Sequence, residues 1–184
     1  LGKIEFKAPD EASGTDAILV GAAIEAVAEG TFAADNNATE LVFKTGASAA
    51  ADAKMILDSS GNLLVGRTSS SGTAEGIRLL NDGFGGFHRD GAEVLQVDRK
   101  TSDGTLISLR KDGTAVGSIG TEGGDLVIGT GDTGFKTHDT VDAIVPYNTT
   151  TNSSRDAAID LGYSSNRFKD LYLSGGVFLG GTGA

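Results

Sequence analysis

Glu93-Val-Leu-Gln-Val-Asp98 and Thr105-Leu-Ile-Ser-Leu-Arg110 are short, mostly alternating apolar and polar runs. They lie among four Asp-Gly pairs, Asp82-Gly83, Asp90-Gly91, Asp103-Gly104 and Asp112-Gly113. Alternation with period two turns one side of a strand to a core and the other to water. Asp-Gly suits a two-residue hairpin turn because both central residues need positive φ, which Gly takes freely and Asp tolerates. Repeated along a chain, this unit predicts an all-β fold of short strands and hairpins with little helix.

Outward from that stretch, the first third reads as strands at Lys3-Ile-Glu-Phe-Lys7, Glu40-Leu-Val-Phe-Lys-Thr45, Lys54-Met-Ile-Leu-Asp58 and Asn62-Leu-Leu-Val-Gly66. Asp58-Ser-Ser-Gly61 joins the last two as a hairpin turn. Ala22-Ala-Ile-Glu-Ala-Val-Ala-Glu29 is ambiguous: Ala and Glu favour a helix, while Ile24, Ala26 and Ala28 alternate as a strand would. Residues 47–53 read as a loop or one helical turn. Thr68 to Glu75 is a Ser/Thr/Gly connector. We therefore expect segments at 1–67, 68–137 and 138–184. The last gathers Tyr163, Phe168, Tyr172 and Phe178, and we expect it to be the best packed. Leu1 stands where Met would begin a natural chain, and the ending is Gly180-Gly-Thr-Gly-Ala184, so we expect a piece of a longer protein.

Composition limits the function. Hydrophobic residues make up 39% of the 184, but many are Ala, with eight Phe, three Tyr and no Trp. Gly, at 28 residues, is about twice its usual share. Such a chain is short of large core side chains, and association between chains is the expected remedy. The absence of Cys excludes disulfides, structural thiolate zinc and thiol catalysis. A formal charge of −10 disfavours nucleic acid and anionic membranes as partners. No apolar run is long enough for a membrane span.

Candidate chemistry is thin. Gly129-Thr-Gly131-Asp-Thr-Gly134 matches a dinucleotide-binding pattern. It is followed by β-prone Phe135-Lys-Thr-His-Asp-Thr140 where that fold needs a helix, so a glycine-rich turn is the better reading. His88 and His138 are the only histidines. On a threefold axis either could bring three imidazoles to a metal, although lone histidines are more often plain surface or core residues. Glu75, Asp82, Asp90, Asp98, Asp103, Asp112, Glu122, Asp125, Asp132 and Asp139 are numerous enough for a glycan-cleaving pair. Turns already account for those that precede Gly, and no Asp-x-Asp-x-Asp-Gly calcium loop occurs. Asn37-Ala-Thr39, Asn148-Thr-Thr150 and Asn152-Ser-Ser154 fit the glycosylation sequon, as a Thr/Ser/Asn-rich chain does by chance. No residue is assigned a catalytic role and no cofactor is expected.

Two blocks carry a family resemblance. One runs from Ile24-Glu-Ala-Val-Ala-Glu-Gly-Thr-Phe32 through Leu41-Val-Phe-Lys-Thr45 to Met55-Ile-Leu-Asp-Ser-Ser-Gly-Asn-Leu-Leu-Val-Gly66. The other is Ile159-Asp-Leu-Gly-Tyr-Ser-Ser-Asn-Arg-Phe-Lys-Asp-Leu-Tyr-Leu173. Both resemble phage tail-fibre proteins, especially those of marine tailed phages, the second like the segment that often precedes a C-terminal trimerising or chaperone region. The resemblance implies an elongated homotrimeric fibre, intertwined or β-helical/β-prism-like. It also implies a place on the virion outside the cell, with other virion tail proteins and a glycan or protein of a host-cell surface as partners. It favours strand for Ile24 to Glu29. The expected function is structural and adhesive, in host attachment and without catalysis. A tailspike-like glycan depolymerase and a bacterial trimeric adhesin are the alternatives, and a monomeric β-solenoid is an open architecture. The residues expected to matter are Ile24, Val42, Phe43, Met55, Leu64, Leu95, Ile107, Leu109, Ile119, Val127, Phe168 and Leu171, buried within or between chains.

Overall fold

A computed structural model describes residues 1–8 and 13–180; residues 181–184, which close the glycine-rich ending, lie outside the described residues. The chain divides into two units, Leu1–Gln96 and Val97–Ala184. Each holds one antiparallel sheet in which strands lie side by side in chain order. The junctions expected after residues 67 and 137 fall within these sheets. Among the described residues the only helix is a single 3-10 turn at Asp139–Val141.

The first sheet comprises β1 (Gly2–Phe6), β2 (Ala22–Ala28), β3 (Thr39–Thr45), β4 (Asp52–Leu57), β5 (Leu63–Val65), β6 (Gly76–Leu79) and β7 (Gly85–His88). The ambiguous alanine-rich stretch is the strand β2. It pairs β1 through Ile24↔Ile4 and β3 through Ile24↔Phe43, so both ladders satisfy its backbone. A helix this short is marginal however favourable its Ala and Glu, and it yields to that pairing. The 58–61 turn joins β4 and β5 as expected, with Gly61 N–H on the Asp58 carbonyl at 2.9 Å. Residues 46–51 form a loop, and Asp52 and Ala53 already belong to β4. The polar connector 66–75 is held by Arg67, a buried side chain. Its guanidinium donates to the carbonyls of Ser69, Ser71 and Ala74 at 2.6, 2.9 and 2.9 Å.

The second sheet comprises β8 (Gly104–Lys111), β9 (Thr114–Glu122), β10 (Asp125–Thr130), β11 (Thr133–His138), β12 (Ala143–Asn148) and β13 (Ser153–Ser154). Of the four Asp-Gly pairs, Asp112-Gly113 makes the expected tight hairpin, with φ of 48° and 77° between β8 and β9. Gly123-Gly124, at 62° and 87°, makes the next one. Asp82-Gly83 sits in a wider turn between β6 and β7, where Gly83 N–H bonds the Leu80 carbonyl. Asp90-Gly91 follows β7, and Asp103-Gly104 opens β8.

Two expectations are corrected. Glu93–Asp98 forms no strand and instead contains the junction between the units. Val94, Leu95 and Val97 are exposed, because no strand among the described residues lies beside them to complete a ladder. The closing block is also not the best-packed part. From 155 to 180 it holds no strand, only an isolated bridge between Tyr163 and Asn166, and Tyr163, Phe168, Tyr172 and Phe178 are exposed. Its aromatic residues find no sheet face of their own to pack on.

The chain's own core is small. Val42, Ile56 and Leu64 share one face of the first sheet, with Val27 and Ala53 against them. Leu64 is only 2% exposed. Leu64→Ala should cost about 2–5 kcal/mol, read from chemical unfolding of the intact chain; a loss under about 1 kcal/mol would show that this cluster does not anchor the sheet.

Candidate functional site

The register of the first sheet lines up an apolar row. Ile4, Ile24, Phe43, Met55, Val65, Ile77 and Phe87 are successive cross-strand partners over seven strands. A parallel row runs from Ala26 through Leu41, Leu57 and Leu63 to Leu79. Ile4, Leu41, Leu57, Leu79 and Phe87 are exposed in spite of their chemistry. The reverse face holds the Val42–Ile56–Leu64 core and, towards the β1 edge, charged pairs. Lys3 meets Glu5 at 2.6 Å, and Lys44 is bound to Glu25. The hydrogen bond from Lys44 holds the Glu25 carboxyl below the ordinary carboxylate range.

The second sheet repeats the division. Ile107, Ile119, Ile128, Phe135 and Pro146 are cross-strand partners on one face. The other face buries Val127 and Tyr147 together with Asp125 and Lys136. Cross-strand apolar pairs stabilise a sheet only when something also excludes water from them. In each unit one apolar row is only partly covered among the described residues.

Beside the buried Tyr147 lies the most concentrated charge in the second unit. The Gly123-Gly124 turn makes Glu122 and Asp125 opposite partners, and Lys136 is one step further along, opposite Val127. Lys136 Nζ donates to Glu122 Oε2 at 2.6 Å and lies 3.0 Å from Asp125 Oδ2. Asp125 Oδ1 accepts the backbone N–H of Asp139 at 3.1 Å. That backbone bond and Lys136 hold the Asp125 carboxyl below its ordinary range. The carboxylates of Glu122 and Asp125 push the Lys136 amine above its own. Burial raises the Tyr147 phenol, whose oxygen is enclosed without a hydrogen-bond partner. Nothing in the periodicity marked Lys136 as buried; the nearest signal was Glu122-Gly-Gly-Asp125, a tight turn flanked by carboxylates.

The candidate histidines stand apart in sequence and in surroundings. His138 ends β11 with Nδ1 3.5 Å from Asp125 Oδ2. His88 ends β7 opposite Gly76, diagonal to Arg78, whose own partner is Gly86. A Cβ built on Gly86 would lie 2.9 Å from His88 Nε2 and 3.0 Å from Arg78 Nε. Arg78 itself stacks 4.9 Å above the Phe84 ring and donates to the Ser70 carbonyl at 2.7 Å. Among the described residues, no group of three or more His, Asp or Glu is placed to hold a metal within one chain. An axial metal of the kind considered from the sequence would take one ligand from each of three chains.

The remaining candidates have structural settings. Gly129-Thr-Gly131-Asp-Thr-Gly134 is the β10–β11 hairpin, and the strand β11 stands where a dinucleotide fold would need a helix. Its outer glycines are required by contact, since a Cβ on Gly129 would lie 2.5 Å from Gly134 Cα. Asp103 Oδ2 accepts from Gly123 N–H at 2.8 Å, Asp82 Oδ1 from Phe84 N–H at 2.9 Å, and Glu75 Oε1 from Asp90 N–H at 2.7 Å. Asp132 pairs with Arg155 at 3.0 Å. Asn148 Oδ1 accepts the N–H groups of Thr150 and Thr151, both at 2.9 Å. Of the expected packing residues, Val42, Leu64 and Val127 are buried, whereas Leu95, Leu109, Phe168 and Leu171 are exposed. No helix among the described residues is long and apolar enough to cross a membrane. No protein family model, curated protein or solved structure matches the chain.

The charge cluster makes a pH prediction. A carboxyl lowered by folding adds stability above the ordinary carboxylate range, lost as pH falls through its folded value. An amine raised by folding adds stability below the ordinary lysine range, lost as pH rises through its folded value. The contribution of this Lys136–Asp125 pair should therefore be full between about pH 5 and 10 and fall on either side. Asp125→Asn should lower melting at neutral pH and shrink the acid-side fall; an unaltered acid limb would show that Asp125 is not its source.

Proposed function

We propose that this chain is a structural and adhesive segment of a phage tail fibre, working as a homotrimer on the virion. Its part would be to span distance stiffly, joined to other tail proteins, and to present an outer surface to a glycan or protein of the host cell. The resemblance of the two sequence blocks supports the phage setting. The physical support for assembly is the surface left uncovered.

The chain exposes 13615 Å². A folded monomer of 18.6 kDa is expected to expose about 8,200 Å². The excess, roughly 5,000 Å², is well above the roughly 600–1,500 Å² that an interface between domains of one chain buries. Shared between two neighbours in a threefold assembly, it gives each contact roughly 2,500 Å² per side, in the obligate class. The apolar rows of both sheets are the surface such contacts would cover. Ala and Gly suit a narrow interior shared by three chains, where large aromatic side chains would not fit. A trimer would also carry three times the −10 charge, which keeps long fibres from bundling at low salt.

Light scattering on a sizing column tests the assembly. A threefold native mass is expected, and a single-chain mass would sink the reading. Ile107→Asp should sharply lower the melting of the assembly, because its half-buried position in the apolar row would then hold an unpaired charge. An unchanged melt would remove this face from the interface. Binding of the intact segment to host cells, set against cells stripped of surface glycan, tests the adhesive part.

A further inference from the structure

The apolar face of the second sheet is hollowed into a groove of about 670 Å³. Its walls include Leu109, Val116, Ile128, Phe135, Ile144 and Pro146, and its one charged wall residue is Asp160. Ile144 is 73% exposed there. The chain's own closing segment reaches the groove at Ile159–Leu161, and no wall comes from the described residues beyond Leu161. After Leu161 the chain turns, with mutual backbone bonds between Tyr163 and Asn166 at 3.0 Å. Phe168 settles beside Gly162, where a Cβ would meet its ring at 3.4 Å.

Past this turn the tail has nothing to rest on. Residues 171–180 read Leu-Tyr-Leu-Ser-Gly-Gly-Val-Phe-Leu-Gly and contain no charge. Leu171, Tyr172, Leu173, Val177 and Leu179 are exposed, and Phe178 is 100% exposed. The groove and the tail are thus two uncovered apolar surfaces of one unit, nearly or wholly without charge. The tail is long enough to cross the groove. Five strands spaced at about 4.8 Å give a face roughly 19 Å across, which an extended chain of about six residues spans. Two glycines at 175 and 176 allow the backbone to lie close to a sheet.

We propose that the tail of one chain, residues 171–179, lies in this groove on a neighbouring copy, so that each chain covers the face its neighbour leaves open. The inference rests on the trimer reading and adds to it which surfaces meet. Cyclic exchange of this kind closes on itself under threefold symmetry and uses the same contact three times. Phe178 and Leu179 would be the buried anchors, with Ile144 and Phe135 beneath them.

A photoprobe decides it without assuming a register. Benzoylphenylalanine in place of Phe178 keeps an aromatic anchor, and mixed assemblies of isotopically light and heavy chains separate adducts between chains from those within one. The expected result is a threefold mass and adducts joining light to heavy chains, mapped to residues 109–146. Adducts confined to one chain would mean that the tail folds back on its own groove. Adducts elsewhere, or none, would mean that something other than the tail covers it. Either result with the threefold mass retained overturns the exchange and leaves the trimer standing, whereas a single-chain mass overturns both. Phe178→Asp gives a second reading, since a fully exposed residue cannot damage the isolated chain. It should weaken association roughly tenfold or more, and unchanged association would overturn the anchor role.

Discussion

A sheet one layer thick can bury side chains only against whatever lies on it, and among the described residues neither unit supplies a second regular layer. Each sheet solves the problem on one face. In the first, Val42, Ile56 and Leu64 form a small core; in the second, Val127 and Tyr147 are buried beside a lysine and an aspartate. The opposite faces carry cross-strand rows of Ile, Leu, Met, Val and Phe. Exposed rows of this length mark an interface or an aggregation hazard. The trimer proposed above would give them their use, and the exposed area of the single chain reflects the same open faces.

Polar residues do the local work that a larger core would otherwise do. Arg67 ties the Ser/Thr/Gly connector through three carbonyls and fixes the path from β5 to β6. Lys136 gathers Glu122 and Asp125 across the β9–β10 turn and links them to β11. In such a thin structure these bonds define register, which apolar residues on an open face specify only weakly. The chemistry they provide is positional. Lys136 balances one of the two carboxylates beside it, and Arg67 is held by carbonyls.

Much of the strand map could be read from local pattern. Alternation located β1, β3, β4, β5 and β8, and the 58–61 and Asp112-Gly113 turns were legible from the φ that their residues accept. The β-prone stretch after the G-x-G-x-x-G match was also enough to read it as a glycine-rich turn, which is the β10–β11 hairpin. Glu93–Asp98 shows where pattern fails. Its alternation is as regular as that of β8, yet a strand exists only where another edge pairs with it. The closing block fails for the same reason: aromatic residues favour burial, and only a surface opposite them provides it.

Residue chemistry alone was enough for the class of fold, several turn positions and the absence of thiol chemistry. Each of these rests on properties a residue carries with it: its backbone preference, volume, charge or reactive atom. Long-range contacts were needed to make Ala22–Ala28 a strand, to bury Lys136, to divide the units at Gln96, and to leave particular apolar rows uncovered. These outcomes depend on which distant segment lies alongside. Pairing and burial are properties of two surfaces at once, and no single stretch of chain contains both.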